Sequence, residues 1–204
     1  VTMTGLQPAL GAGFGCGTIV GMDSALRPRR SVLFMPGANA RALEKARSID
    51  CDGIIIDLED AVAPDLKVEA RERTAGVVRG HPYGYREVAI RVNGMDTQWY
   101  HDDLVAAVAA GPDTIAVPKV SSAEQVRAIV ADMEAAGADK SVKLWAMIET
   151  PRAVLDCLDI AEASDRLTVL IMGTNDLTKE LRASHVAGRA LSLIHISEPT
   201  RPER

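Results

Sequence analysis

Aromatic residues are scarce in this chain: two tryptophans, three tyrosines and two phenylalanines among 204 residues. So few rings offer no stacking platform for single-stranded nucleic acid. A net charge of −5 gives no basic footprint for a phosphate backbone either. Cysteine is just as sparse. Cys16, Cys51 and Cys157 are widely spaced and form no CxxC pair, which excludes a disulfide framework and a zinc cage and suits reduced thiols in a cytoplasmic protein. No apolar run is long enough to span a bilayer as a helix. What remains is an ordinary globular balance, 47% apolar and 25% charged, in a length that can bury a sizeable core.

The opening stretch, "VTMTGLQPALGAGFGCGTIVG", holds six glycines and is followed by its first charge only at Asp23. It has no basic start for a secretory signal. Its "GAGFGCG" lacks the GxGxxG spacing of a dinucleotide loop and no strand precedes it. Residues 1–29 therefore read as a leader that is disordered or not native, with Met22 as a natural start.

From Arg30 onward a rhythm sets in. "SVLFMPG" (31–37), "GIIIDLE" (53–59), "EVAIRVN" (87–93), "TIAVPKV" (114–120), "KLWAMIE" (143–149) and "LTVLIMG" (167–173) are short apolar, β-branched runs. Runs apolar on both faces suit parallel strands covered by helices. Helical patterns separate them. In "SSAEQVRAIVADMEAAG" Val126, Ile129, Val130 and Met133 share a face, Ser121 and Glu124 form a capping box and Gly137 ends the helix. In "ETPRAVLDCLDIAEA" Thr150 caps and Pro151 takes the first helical position, where its missing N–H costs nothing. Further helices start near Asn39, Asp65 and Thr97. Six strand–helix repeats predict a parallel α/β fold, either an eight-stranded barrel or an open doubly wound sheet.

Polar groups close almost every strand: Glu59 and Asp60, Arg91 and Asn93, Lys119, Glu149, then Asn175 and Asp176. In a (β/α)8 barrel all these ends meet at one mouth, whereas an open sheet spreads them along an edge. Polar ends on five of the six strands favour the barrel. Glu149 and Asp176 come from different strands and have no local base as partner, and two carboxylates completed by water and substrate are a usual way to hold Mg²⁺. Read on spacing alone, Glu149 equally well leads a helix, where negative charge is favoured.

Taken together, "RSVLFMPGANARALEKA", "DGIIIDLEDAVAP", "IRVNG", "VPKV", "MIETPRAVLD" and "MGTNDLTKELRA" resemble the HpcH/HpaI aldolase and citrate lyase β-subunit-like family, over residues 30 to about 183. The resemblance implies a Mg²⁺-dependent barrel that splits a β-hydroxyacyl-CoA into an acyl-CoA and an oxo acid, or runs the reverse condensation. It implies Glu149 and Asp176 as metal ligands, Arg91 facing the substrate, and Glu59 and Asp60 as the acidic pair near the metal's waters. Arg91, Glu59 and Asp60 are thus the implied catalytic set, and Asp57, on the face of Glu59, takes a supporting role. Arg91 has a competing reading as a mere ion-pair partner of Glu59 or Asp60. A cytoplasmic homo-oligomer, trimer or hexamer, follows from the same resemblance.

Other candidates carry less. Arg30, with Arg41 and Lys45, is a candidate contact for the substrate's CoA phosphates; Lys119 is a candidate Schiff-base lysine; His81, His101 and His185 have no metal-ligand spacing. The resemblance stops before "LSLIHISEPTRPER" (191–204), whose residues 191–201 match one reading frame of a transposase adapter used in DNA library preparation. Residues 30–190 accordingly read as a TIM-type barrel cut after about six strand–helix units, and the 204-residue chain is expected to be inactive or poorly folded. Two alternatives stand beside the lyase: an aldolase using a free oxo acid such as pyruvate, and a noncatalytic interaction subunit that keeps the fold.

Overall fold

The computed structural model describes residues 27–80 and 82–184. Each apolar run becomes a strand: β1 Val32–Pro36, β2 Gly53–Asp57, β3 Glu87–Arg91, β4 Thr114–Val117, β5 Lys143–Ile148 and β6 Leu167–Met172. The helices are α1 Ala40–Ala46, α2 Lys67–Val78, α3 Tyr100–Ala110, α4 Ala123–Ala135, α5 Pro151–Leu155, α6 Cys157–Ala161 and α7 Thr174–Glu180. The sheet runs in chain order from β1 to β6 and every neighbouring pair is parallel. A doubly wound sheet reverses its strand order at a switch point; this one never does, so it is the singly wound arrangement of a (β/α) barrel. Among the described residues the sheet is not closed: β1 and β6 pair on one side only. No helix among them is long and apolar enough to cross a membrane. The tail at 191–204 lies outside the described residues, as does the leader up to residue 26. Arg27 and Arg29, read with that leader, instead tie into the amino end of the sheet: Arg29 Nε pairs with Glu87 at 2.6 Å and Arg27 donates to the Tyr85 carbonyl.

Strand alternation sorts the apolar side chains into two layers. Ile54, Ile56, Val88, Ile90, Ile115, Leu144 and Ile148 face the helices and join Leu43, Leu104, Val126 and Ile129 in the main core. Each fully buried aliphatic side chain there contributes about 1.5–3 kcal/mol. Ile55, Ala89, Ala116 and Trp145 face inward and form a second cluster. Their register explains the composition: Ala89 is the partner of Ile55, and Ala116 that of Trp145. The small residues on β3 and β4 leave room for one large ring.

Helix boundaries depart from the sequence reading in two places. The cap of α4 is Ser122, whose hydroxyl accepts from the Gln125 N–H, while Gln125 reaches back to the Ser121 N–H. The box is thus shifted one residue along. The single helix expected after Pro151 is two short ones broken at Asp156, although Thr150 caps the first as expected. Gly137 does terminate its segment, at φ +85°, a backbone region open to glycine without penalty.

Candidate active site

Parallel pairing in chain order brings the carboxyl ends of the strands to one side of the sheet. There a cleft of about 470 Å³ is lined by Phe34, Asp60, Arg91, Glu149, Gly173 and Asp176 among others. Five of the six strands, or the loops that follow them, contribute.

Asp57 and Arg91 are register partners across β2 and β3, so their inward side chains stand side by side. Arg91 Nε and Nη2 both bond the Asp57 carboxylate, at 2.7 and 2.6 Å. The same carboxylate accepts the N–H groups of Glu59 and Ala61. Asp57 therefore folds the loop that carries Glu59 and Asp60 and clamps Arg91 at once. Arg91 lies over the Phe34 ring at 5.1 Å, and its remaining Nη1 stands 2.7 Å from Glu59 Oε2 and 3.8 Å from Asp60. Arg91 does pair with Glu59, though its principal partner is Asp57. One bidentate edge of the guanidinium is already taken, so a substrate carboxylate can meet only the Nη1 side.

Glu59 and Asp60 part company. Asp60 is exposed and lines the cleft, while Glu59 is buried behind it between Arg91 and Lys119 Nζ, 3.7 Å away. Burial, opposed by Arg91, pushes the Glu59 carboxyl up to about 7. Lys119 adopts a left-handed backbone at φ 55°, a conformation costing a non-glycine residue of order 1–3 kcal/mol. Its N–H bonds Glu149 Oε2 at 3.0 Å. Burial alone would lower the Lys119 amine, but the surrounding carboxylates, Glu59 foremost, outweigh it and raise its pKa. That is the wrong direction for a Schiff-base nucleophile.

Glu149 is 2% exposed at the end of β5. Burial first, then repulsion from Asp176, raises its pKa. A buried carboxylate in that state gains from a cation. Asp176, half-buried in the first turn of α7, faces the same cleft. Among the described residues no group of three His, Cys, Asp or Glu side chains is arranged to hold a metal. Two oxygen-donor carboxylates on an open cleft leave the remaining positions to water and substrate, which fits Mg²⁺ and not a closed zinc or calcium cage. Gly173, beside Glu149, has no room for a side chain: a Cβ there would lie 2.7 Å from the Glu149 Cδ and closer still to its Oε1 and Cγ. Gly173→Ala is expected to weaken Mg²⁺ binding roughly 10- to 100-fold by displacing Glu149, as measured by titration calorimetry, with the melting temperature little changed.

The structure overturns the reading of Arg30. It precedes β1 and so lies at the opposite end of the sheet from the cleft, largely exposed and paired with Asp52 at 2.7 Å. Arg41 and Lys45 are exposed on α1, and His101 is exposed on α3. His81 and His185 lie outside the described residues. Sequence reasoning missed Lys67, whose ammonium is buried beneath the acidic loop, and Asp103, which is linked to it through Asn93. A signal existed: a lysine in the first turn of a helix opposes the macrodipole and calls for another reason to be there.

Residues 30–192 match the family described as HpcH/HpaI aldolase/citrate lyase. A (3S)-malyl-CoA thioesterase of Cereibacter sphaeroides is 50% identical over 160 residues, which is 78% of this chain and 54% of that protein. An L-malyl-CoA/β-methylmalyl-CoA lyase of the same species is 34% identical, over 76% of this chain and 51% of the other. The solved structure of the citrate lyase β subunit of Mycobacterium tuberculosis, complexed with oxaloacetate and magnesium, superposes with a TM-score of 0.63 at 28% identity, covering 80% of this chain and 68% of that one. The chain spans about half the length of the curated relatives it matches. On the ordered motifs, the sheet order and this match together, the chain belongs to the HpcH/HpaI aldolase/citrate lyase family.

Proposed function

We propose that the protein carrying these six strand–helix units is a Mg²⁺-dependent enzyme acting on a β-hydroxyacyl-CoA of the malyl-CoA kind, with the substrate's oxo- or hydroxyacid end at Glu149 and Asp176. The observation that carries this is the convergence of Glu149, Asp176, Arg91 and Asp60 on one cleft. Mg²⁺ held by Glu149 and Asp176 would act as a Lewis acid on the substrate's hydroxyl and carboxylate oxygens. Arg91, fixed by Asp57 and backed by Phe34, presents its Nη1 to the oxygen on which negative charge grows at the thioester. Asp60, exposed on the cleft, is the carboxylate placed to take or return a proton there.

Two outcomes are open to such a site. Carbon–carbon cleavage moves the hydroxyl proton to a base, leaves a carbonyl on the oxo acid and an enolate on the acyl-CoA, and protonates that enolate. Hydrolysis instead adds water to the thioester carbonyl and expels the CoA thiol. The 50% identity to a thioesterase, against 34% to a lyase, favours hydrolysis as the main reaction and makes carbon–carbon cleavage the second reading. Malyl-CoA with Mg²⁺ separates them. Free thiol released without glyoxylate is expected for hydrolysis, and glyoxylate without free thiol for the lyase. Neither product, with Mg²⁺ bound, would overturn both.

A further inference from the structure

We infer that Lys67 is a positioning residue: its buried ammonium holds the backbone of the acidic loop, and so keeps Asp60 on the cleft and Glu59 behind it. The inference rests on the reading of that loop as part of the proposed active site. Lys67 is the first residue of α2 and only 5% exposed. Its Nζ donates to the Leu58 carbonyl at 2.7 Å, to the Glu59 carbonyl at 2.6 Å and to Asn93 Oδ1 at 2.7 Å. An ammonium has three N–H donors, and all three are used. The Trp99 ring covers it at 5.3 Å.

The strut continues beyond the lysine. Asn93 Nδ2 donates to the same Leu58 carbonyl at 2.9 Å and to Asp103 Oδ2 at 2.5 Å. The other Asp103 oxygen accepts from Arg71 Nε at 2.7 Å. Lys67 and Arg71 stand on α2, Asp103 on α3, and Asn93 just past β3, so the loop after β2 is tied to three neighbouring elements. The Leu58 N–H donates to the Arg91 carbonyl and those of Glu59 and Ala61 to the Asp57 side chain, while the Leu58 and Glu59 carbonyls turn to Lys67. Without a cation those carbonyls would be buried acceptors with fewer partners. Desolvation lowers the Lys67 amine, while Asp57, Asp103, Glu59 and Asp60 act to keep it charged. No atom of Lys67 lines the cleft. Its action on chemistry runs through the loop alone.

Hydrogen–deuterium exchange of the full chain reads the loop without reference to any reaction. Lys67→Met keeps the aliphatic stem and removes all three donors. Lys67→Arg keeps the charge but cannot converge three bonds from one nitrogen. In both variants exchange over residues 58–62 is expected to rise about tenfold or more, while β5 and β6 stay within about twofold of the parent. Turnover per folded molecule should fall about tenfold with KM within about threefold. Unchanged exchange in the loop of a folded variant overturns the inference, and Lys67→Arg alone decides if Lys67→Met does not fold. Faster exchange with unaltered turnover also overturns it, since Lys67 would then serve stability only. If the parent protein turns over no CoA thioester while the loop still loosens, the proposed function fails and the loop's dependence on Lys67 stands.

Discussion

Glu149→Gln is expected to abolish Mg²⁺ binding and lower turnover about a thousandfold, near 4 kcal/mol of lost transition-state stabilisation. The substitution is nearly isosteric. The carboxamide oxygen can still accept the Lys119 N–H, and the shape beside Gly173 is kept. Only the charge goes. Because burial and Asp176 raise the Glu149 pKa, its ionisation in the metal-free fold costs stability. The metal-free variant should therefore melt at or above the parent's temperature, and added Mg²⁺ should no longer raise it, whereas Mg²⁺ stabilises the parent by mass action. Calorimetric titration and thermal melts with and without Mg²⁺ read both effects. Parent-like Mg²⁺ affinity in Glu149→Gln would remove the metal site. A noncatalytic subunit predicts that whatever role it has survives this change, so the same variant separates that class from an enzyme.

Removing Arg91 should have the second large effect, and on folding as much as on chemistry. Arg91→Ala leaves Asp57 and Glu59 buried without their cation. Stranding one side of a buried ion pair costs roughly 3–5 kcal/mol, comparable with the whole stability of a small domain. A shift of that size in a denaturant melt is the expected result. Arg91→Lys keeps a charge but not the two parallel bonds to Asp57. It should remain folded and lose roughly 10²–10³-fold in kcat/KM. If the loss of stability comes from stranded charge, the double change Asp57→Asn with Arg91→Met should recover much of it, since both partners then go together. Activity should not return with it. Full activity in Arg91→Lys would place the substrate elsewhere in the cleft.

Much of this arrangement was legible before any coordinates. The runs at 31–37 through 167–173 are apolar on both faces, and only a parallel sheet sandwiched between layers asks for that. The polar residues at the ends of five of the six runs announced a mouth. What could not be read was which charges would meet. Asp57 pairs with Arg91 across 34 residues because β2 and β3 take one particular register, and a sequence carries no direct mark of register between strands that a helix separates. Arg30 is a different kind of miss. Its position before β1 puts it at the amino end of that strand, so chain direction alone argued against the cleft.

The sequence by itself therefore determined the element types, their order along the chain and the strand ends where chemistry is carried, because periodicity and strand polarity are local properties of the chain. The tertiary structure alone decided that Asp57 clamps Arg91, that Glu59 retreats while Asp60 faces the cleft, that Lys67 is buried under the loop, and that Gly173 must be small beside Glu149. Each of those depends on how far apart two side chains end up after packing. Burial and distance set the strength of every charge in this site, and neither is a property of any single stretch of residues.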